Sequence, residues 1–164
     1  MRYVMRQKLI SLGDDFTIRD ADGRDAYFVD GKALTLRDRL TFQDMDGREL
    51  LSIQRRLLAW GPTYEIHQGD QLKAVVKQKL FTLFNQRFSV DEIDREDDLT
   101  AKGNFTDHHY TFSRGGREVA WVSEKWFSLA DTYGVEVGAG EDPVLILACA
   151  VVIDRCQEAA ERRD

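Results

Sequence analysis

The chain has 164 residues, with 23 Lys and Arg against 29 Asp and Glu, giving a net charge near −6. That length indicates one domain, able to bury roughly 70% of its unfolded surface without disulfides or metal. The acidic balance excludes a general nucleic-acid binder, and two cysteines, Cys149 and Cys156, exclude a disulfide framework or a cysteine metal site. The opening MRYVMRQK lacks the apolar stretch of a signal peptide, so the expected location is the cytoplasm.

Along the chain, one repeat register recurs. Lys8 opens KLISLGDDFTI, Lys32 opens KALTLRDRLTF, Arg56 opens RLLAWGPTYEI, Lys79 opens KLFTLFNQRFSV and Lys125 opens KWFSLADTYGV. The steps are 24, 24, 23 and 46 residues, and Lys102 fills the long gap by opening the degenerate copy KGNFTDHHYTF. Eight and ten residues after the basic residue come apolar pairs: Phe16 and Ile18, Leu40 and Phe42, Tyr64 and Ile66, Tyr110 and Phe112, Tyr133 and Val135. The fourth unit is one residue longer and places Phe88 and Val90 there. Mostly polar residues separate the members of each pair, which is the alternation of a half-buried strand. A second alternating run precedes each basic residue, so each unit contributes two strands. Asp22-Gly23, Asp46-Gly47, Gly69-Asp70 and Gly115-Gly116 punctuate the runs as hairpin turns. The expectation is about twelve short antiparallel strands between residues 2 and 138.

The C-terminal segment has a different character. Asp142 is a good N-cap and Pro143 suits the first helical turn. VLILACAVVI, residues 144–153, is apolar on every side, so its helix must be surrounded. Ten residues span about 15 Å, too short for a membrane crossing of ~20 residues. A closed barrel of twelve strands is wide enough to be hollow, and this helix is the one filler available. The fold expected is therefore mainly β: a closed antiparallel barrel of six two-strand repeats around a buried hydrophobic C-terminal helix. One domain spans 1–164, with strands over 2–138, the central helix over 143–156 and a charged tail over 157–164.

The KLFTLFNQRFSV and KWFSLADTYGV segments, the Asp-Gly hairpins and the terminal apolar helix resemble the LURP-one-related family. That family belongs with the Tubby C-terminal-like fold, to which phospholipid scramblases are similar. The resemblance covers essentially the whole chain. It implies a twelve-stranded barrel around a hydrophobic helix, and it suggests anionic phospholipid headgroups as a ligand class, because Tubby domains bind phosphoinositides. No Tubby headgroup residue is carried over.

Several clusters are candidates for chemistry. The basic residues of the repeat form a girdle around the barrel, densest at Arg55, Arg56, Lys77 and Lys79, which are the candidates for anionic headgroups. The competing reading is outward charge that keeps strands from aggregating. DADGRD at 20–25 and DMDGRE at 44–49 begin like calcium loops, but position 12 holds Gly31 and Arg55 where a Glu is required, so they are hairpin turns. Asp91, Glu92, Asp94, Glu96, Asp97 and Asp98 form an acidic hairpin tip. His67, His108 and His109 carry no nucleophile or metal signature, and adjacent His on a strand point to opposite faces. Trp60, Trp121 and Trp126 are expected in core or seam packing, and both cysteines as buried thiols. These features predict a non-enzymatic protein without cofactor or metal. It would be cytoplasmic or peripheral to a membrane, and the family resemblance implies anionic lipid as its partner, with a protein partner as the other choice. The alternative is a soluble interaction or regulatory scaffold using the acidic tip or an open groove between strands.

Overall fold

The computed structural model describes residues 1–6, 15–31, 39–80, 86–126 and 132–162. The strands are β1 (Arg2–Arg6), β2 (Phe16–Asp20), β3 (Asp25–Asp30), β4 (Arg39–Gln43), β5 (Glu49–Arg55) and β6 (Thr63–Gln68), then β7 (Gln71–Leu80), β8 (Gln86–Glu92), β9 (Leu99–Asn104), β10 (His109–Arg114), β11 (Arg117–Ser123) and β12 (Thr132–Val137). Each pairs antiparallel with its neighbours in sequence, and β1 pairs with β12, closing the barrel. A 3-10 turn, Glu124–Trp126, follows β11, and one helix, α1 (Pro143–Glu161), ends the chain.

The apolar pairs of the repeat face inward and oppose one another across strands. Val29 lies opposite Phe42, Leu40 opposite Ile53, Tyr64 opposite Val76, Phe88 opposite Ala101 and Met5 opposite Tyr133. In four units the register shifts directly after the second apolar position, at Ile18, Phe42, Ile66 and Phe112. Such bulges increase local twist, which helps a sheet to close. The DADGRD and DMDGRE segments are hairpins, as expected. Asp20 Oδ1 accepts from the Asp22 and Arg24 amides, Asp44 Oδ1 accepts from those of Asp46 and Arg48, and Gly23 and Gly47 supply φ near +80°.

Inside the ring, α1 is buried from Leu145 to Asp154 and shares one core with the inward faces of the strands. Asp142 caps it by accepting from the Val144 and Leu145 amides. The helix runs five residues beyond the expected end at 156, to Glu161. Residues 157–161 are good helix formers, so the turn pattern persists as α1 leaves the barrel and becomes exposed.

Lys8 and Lys32, with the apolar residues that follow them, lie outside the described residues, as do residues 81–83 and 127–129 of the fourth and sixth motifs.

Candidate functional site

Strand direction alternates, so the β5–β6 and β9–β10 connections leave the same end of the barrel, the end at which α1 emerges. Two features meet there.

The first is a finger formed by residues 56–62 between β5 and β6. Its base is held by backbone hydrogen bonds from Arg56 to the Thr63 carbonyl (2.9 Å) and from Gln78 to the Pro62 carbonyl (3.1 Å). Its tip carries Leu57, 71% exposed, and Leu58 and Trp60, both fully exposed. Three large apolar side chains on one anchored turn make a patch of the kind that marks an interaction site. This corrects the expectation of core or seam packing for Trp60: the residue sits beyond the last rung of β5, where no strand face can cover it. Trp121 and Trp126 are half-buried, Trp121 donating to Glu118 and Trp126 lying under the Arg2 guanidinium.

The structure separates the four basic candidates. Arg55 follows Ile53 on the inward phase, paired across β6 with Tyr64, and its charge reaches Cys156 at the barrel mouth. Arg56 donates through Nε to Glu65 at 2.9 Å, and that cation, helped by His67, holds the Glu65 carboxyl below its usual range. Lys77 is bound to Asp91 at 3.3 Å. Lys79 is exposed. The acidic tip is similarly engaged: Asp94 pairs with Lys73, Asp97 with Arg95, and Glu92 with Arg114.

The second feature is a buried polar cluster. Asn104 and Asp107 bond to each other across the β9–β10 turn, and Phe105 inserts its ring between Phe88 and Tyr110. The turn leaves His108 at φ +45°, the one left-handed non-glycine residue among those described. His108 therefore does not alternate with His109 along a strand, as the sequence suggested. Instead its ring lies over Tyr133. Gly103 permits this crossing. At φ +141°, a Cβ there would stand 2.6 Å from the His109 carbonyl oxygen and from the Tyr110 Cα.

Beneath His108 lies Asp154, a charged residue 3% exposed within the apolar helix. Tyr133 donates to its Oδ2 at 2.6 Å. His108 Nε2 is 3.3 Å from Oδ1, but the geometry completes no hydrogen bond, and Oδ1 is sealed from solvent without one. Burial raises the Asp154 carboxyl above its ordinary range, outweighing the opposing influence of His108 and Tyr133. The sequence signal for this site was a lone acid at the end of the apolar run.

Comparison with known proteins agrees with this architecture. A model of the LURP-one-related family matches residues 1–154. The uncharacterized protein YxjI of Bacillus subtilis is 31% identical over 150 residues, covering 92% of this chain and 90% of YxjI. A crystal structure of an Arabidopsis thaliana protein superposes with a TM-score of 0.70 at 17% identity, covering 95% of this chain and 91% of that one, which is a likeness of fold. With the family model matched over nearly its whole length, this chain belongs to the LURP-one-related family.

Proposed function

We propose that the protein is a non-enzymatic binding module that docks on anionic phospholipid at a membrane surface, placing the β5–β6 finger in the headgroup layer. The observation that carries this reading is the exposure of Leu57, Leu58 and Trp60 on one anchored turn beside Arg55, Arg56 and Lys79. Burying a large apolar side chain contributes about 1.5–3 kcal/mol, and Trp is suited to the interface by its amphipathic ring. A cation near an anionic leaflet contributes about 1 kcal/mol. The finger thus outweighs the cations, which matters for a chain of net charge −6. None of the described helices is long and apolar enough to cross a membrane. The alternative of a scaffold docking through residues 91–98 has less support, because Asp91, Glu92, Asp94 and Asp97 are already occupied by cations of the same chain.

Co-flotation with vesicles of neutral or anionic composition tests the reading. Wild type should float with anionic vesicles at physiological salt, and Leu58→Asp/Trp60→Ser should stay behind while retaining its fold. Equal flotation of the double variant would remove the finger from the mechanism. A wild type that binds no vesicle would transfer the finger to a protein partner.

A further inference from the structure

Strand cations on the outer wall of the barrel are matched by acids. Arg2, Arg19, Arg39, Lys73 and Lys77 each hold a carboxylate, those of Glu136, Asp25, Glu49, Asp94 and Asp91. The pattern breaks at the rung shared by β7, β8 and β9. Lys79 lies opposite Arg87, and Arg87 lies opposite Lys102. Their neighbours Phe88 and Ala101 are buried and face inward, so this rung stands on the outward face. Lys79 and Lys102 are exposed, and neither holds a carboxylate among the described residues. Like charges directly opposed on one face weaken a sheet, and a closed barrel has no free edge for them to protect. On the same face of β8, the Ser89 hydroxyl is buried without a hydrogen-bond partner, so a spare donor lies beside the spare cations.

We propose that this rung is a seat for a phosphate monoester, gripped between the Lys79 and Lys102 ammonium groups, with the Ser89 hydroxyl as a further donor. The two lysines flank β8 with their backbones about 10 Å apart, two strand spacings, and their flexible stems can converge on one group between them. Two ammonium charges match the roughly −2 charge of a monoester at neutral pH, whereas a phosphodiester carries a single charge. The seat adjoins the finger, because Gln78, the residue before Lys79, donates its amide to the Pro62 carbonyl. It rests on the membrane reading only where the phosphate belongs to a lipid; a soluble monoester presents the same chemistry.

The test pairs amide-shift titration of the full chain, using glycerol phosphate or dimethyl phosphate, with flotation on vesicles of phosphatidic acid or phosphatidylglycerol at equal surface charge. The monoester should be preferred in solution, on the vesicle or in both, by about fivefold, the weight of one further charge. Lys79→Gln/Lys102→Gln, exposed changes that leave the core untouched, should abolish that preference. Ser89→Ala should weaken monoester binding about threefold. A preference seen only on vesicles supports the seat as one for a lipid headgroup. A preference seen only in solution, with no flotation of wild type, supports the seat and overturns the membrane reading. Equal response to monoester and diester in both assays, or a preference that survives the double lysine change, overturns the seat.

Discussion

His108 stacks on Tyr133 with ring centroids 4.3 Å apart and planes inclined by 17°, and both side chains end on the carboxylate of Asp154. The turn between β9 and β10, strand β12 and the central helix are thereby joined at one buried charge, the point where an otherwise apolar core becomes polar.

Asp154 should cost stability at neutral pH. The groups facing it are His108, Tyr110 from β10, whose hydroxyl has no hydrogen bond, and Tyr133. Its carboxyl is raised above the ordinary value of 3.8 in the folded protein, so folding favours the protonated form. Stability therefore falls as pH rises from about 4 through the folded-state pKa, and above that the penalty is complete. Asp154→Asn should be more stable than wild type at pH 7, by about 1–2 kcal/mol, with the difference vanishing near pH 4. Urea unfolding at the two pH values checks this, and a variant equally destabilised at both would contradict it.

The basic residues around the finger should contribute unequally. Arg55→Gln and Lys79→Gln should each weaken binding to anionic vesicles about fivefold, the equivalent of ~1 kcal/mol per cation. Arg56→Gln and Lys77→Gln should do less, because Glu65 and Asp91 already balance them. Equal effects from all four would mean that the ion pairs open on the membrane.

Arg114 should be the most sensitive position at the opposite end. It is 6% exposed, binds Glu141 at 2.8 Å and the Asp97 carbonyl at 2.9 Å, and is bonded to Glu92. It thus ties β8 and β10 to the segment through which the chain enters the barrel. Arg114→Met strands two half-buried carboxylates and should cost about 3–5 kcal/mol. Lysine should not restore the loss, since it lacks the planar fork. Denaturant midpoints of the two variants give the answer.

Both thiols should be inert in the folded state. Burial pushes the Cys149 thiol far up and that of Cys156 up to about 12. At pH 8 neither should react with a thiol reagent until the barrel unfolds, so the labelling rate should follow the unfolding rate. Labelling of Cys156 in the native protein would show that the mouth of the barrel opens.

Gly103→Ala should destabilise by about 2 kcal/mol or more, through the close approach of Tyr110 and the left-handed backbone. The variant should also lose the native near-ultraviolet dichroism of the tyrosines around His108. A neutral result would mean that the turn reshapes without cost.

By itself the sequence determined the barrel. Alternation with period two shows which residues of a strand face inward, the Asp-Gly pairs mark the hairpins, and the 23–24-residue repeat supplies the strand number. A helix apolar on all sides has nowhere to go but the lumen. These signals lie along the chain itself and need no knowledge of which distant residues meet. Ring closure through β1 and β12 follows from them. Tertiary structure decided what depends on neighbours distant in sequence. Arg56 and Lys77 look like a shared basic patch until the register places Glu65 and Asp91 against them. Trp60 belongs to an apolar motif that recurs along the sequence, and periodicity cannot distinguish an apolar residue in a turn from one on a strand face. Asp154 resembles the start of a charged tail. Its burial depends on how far α1 has risen through the barrel when the helix reaches it, and on a histidine 46 residues earlier folding over the opening.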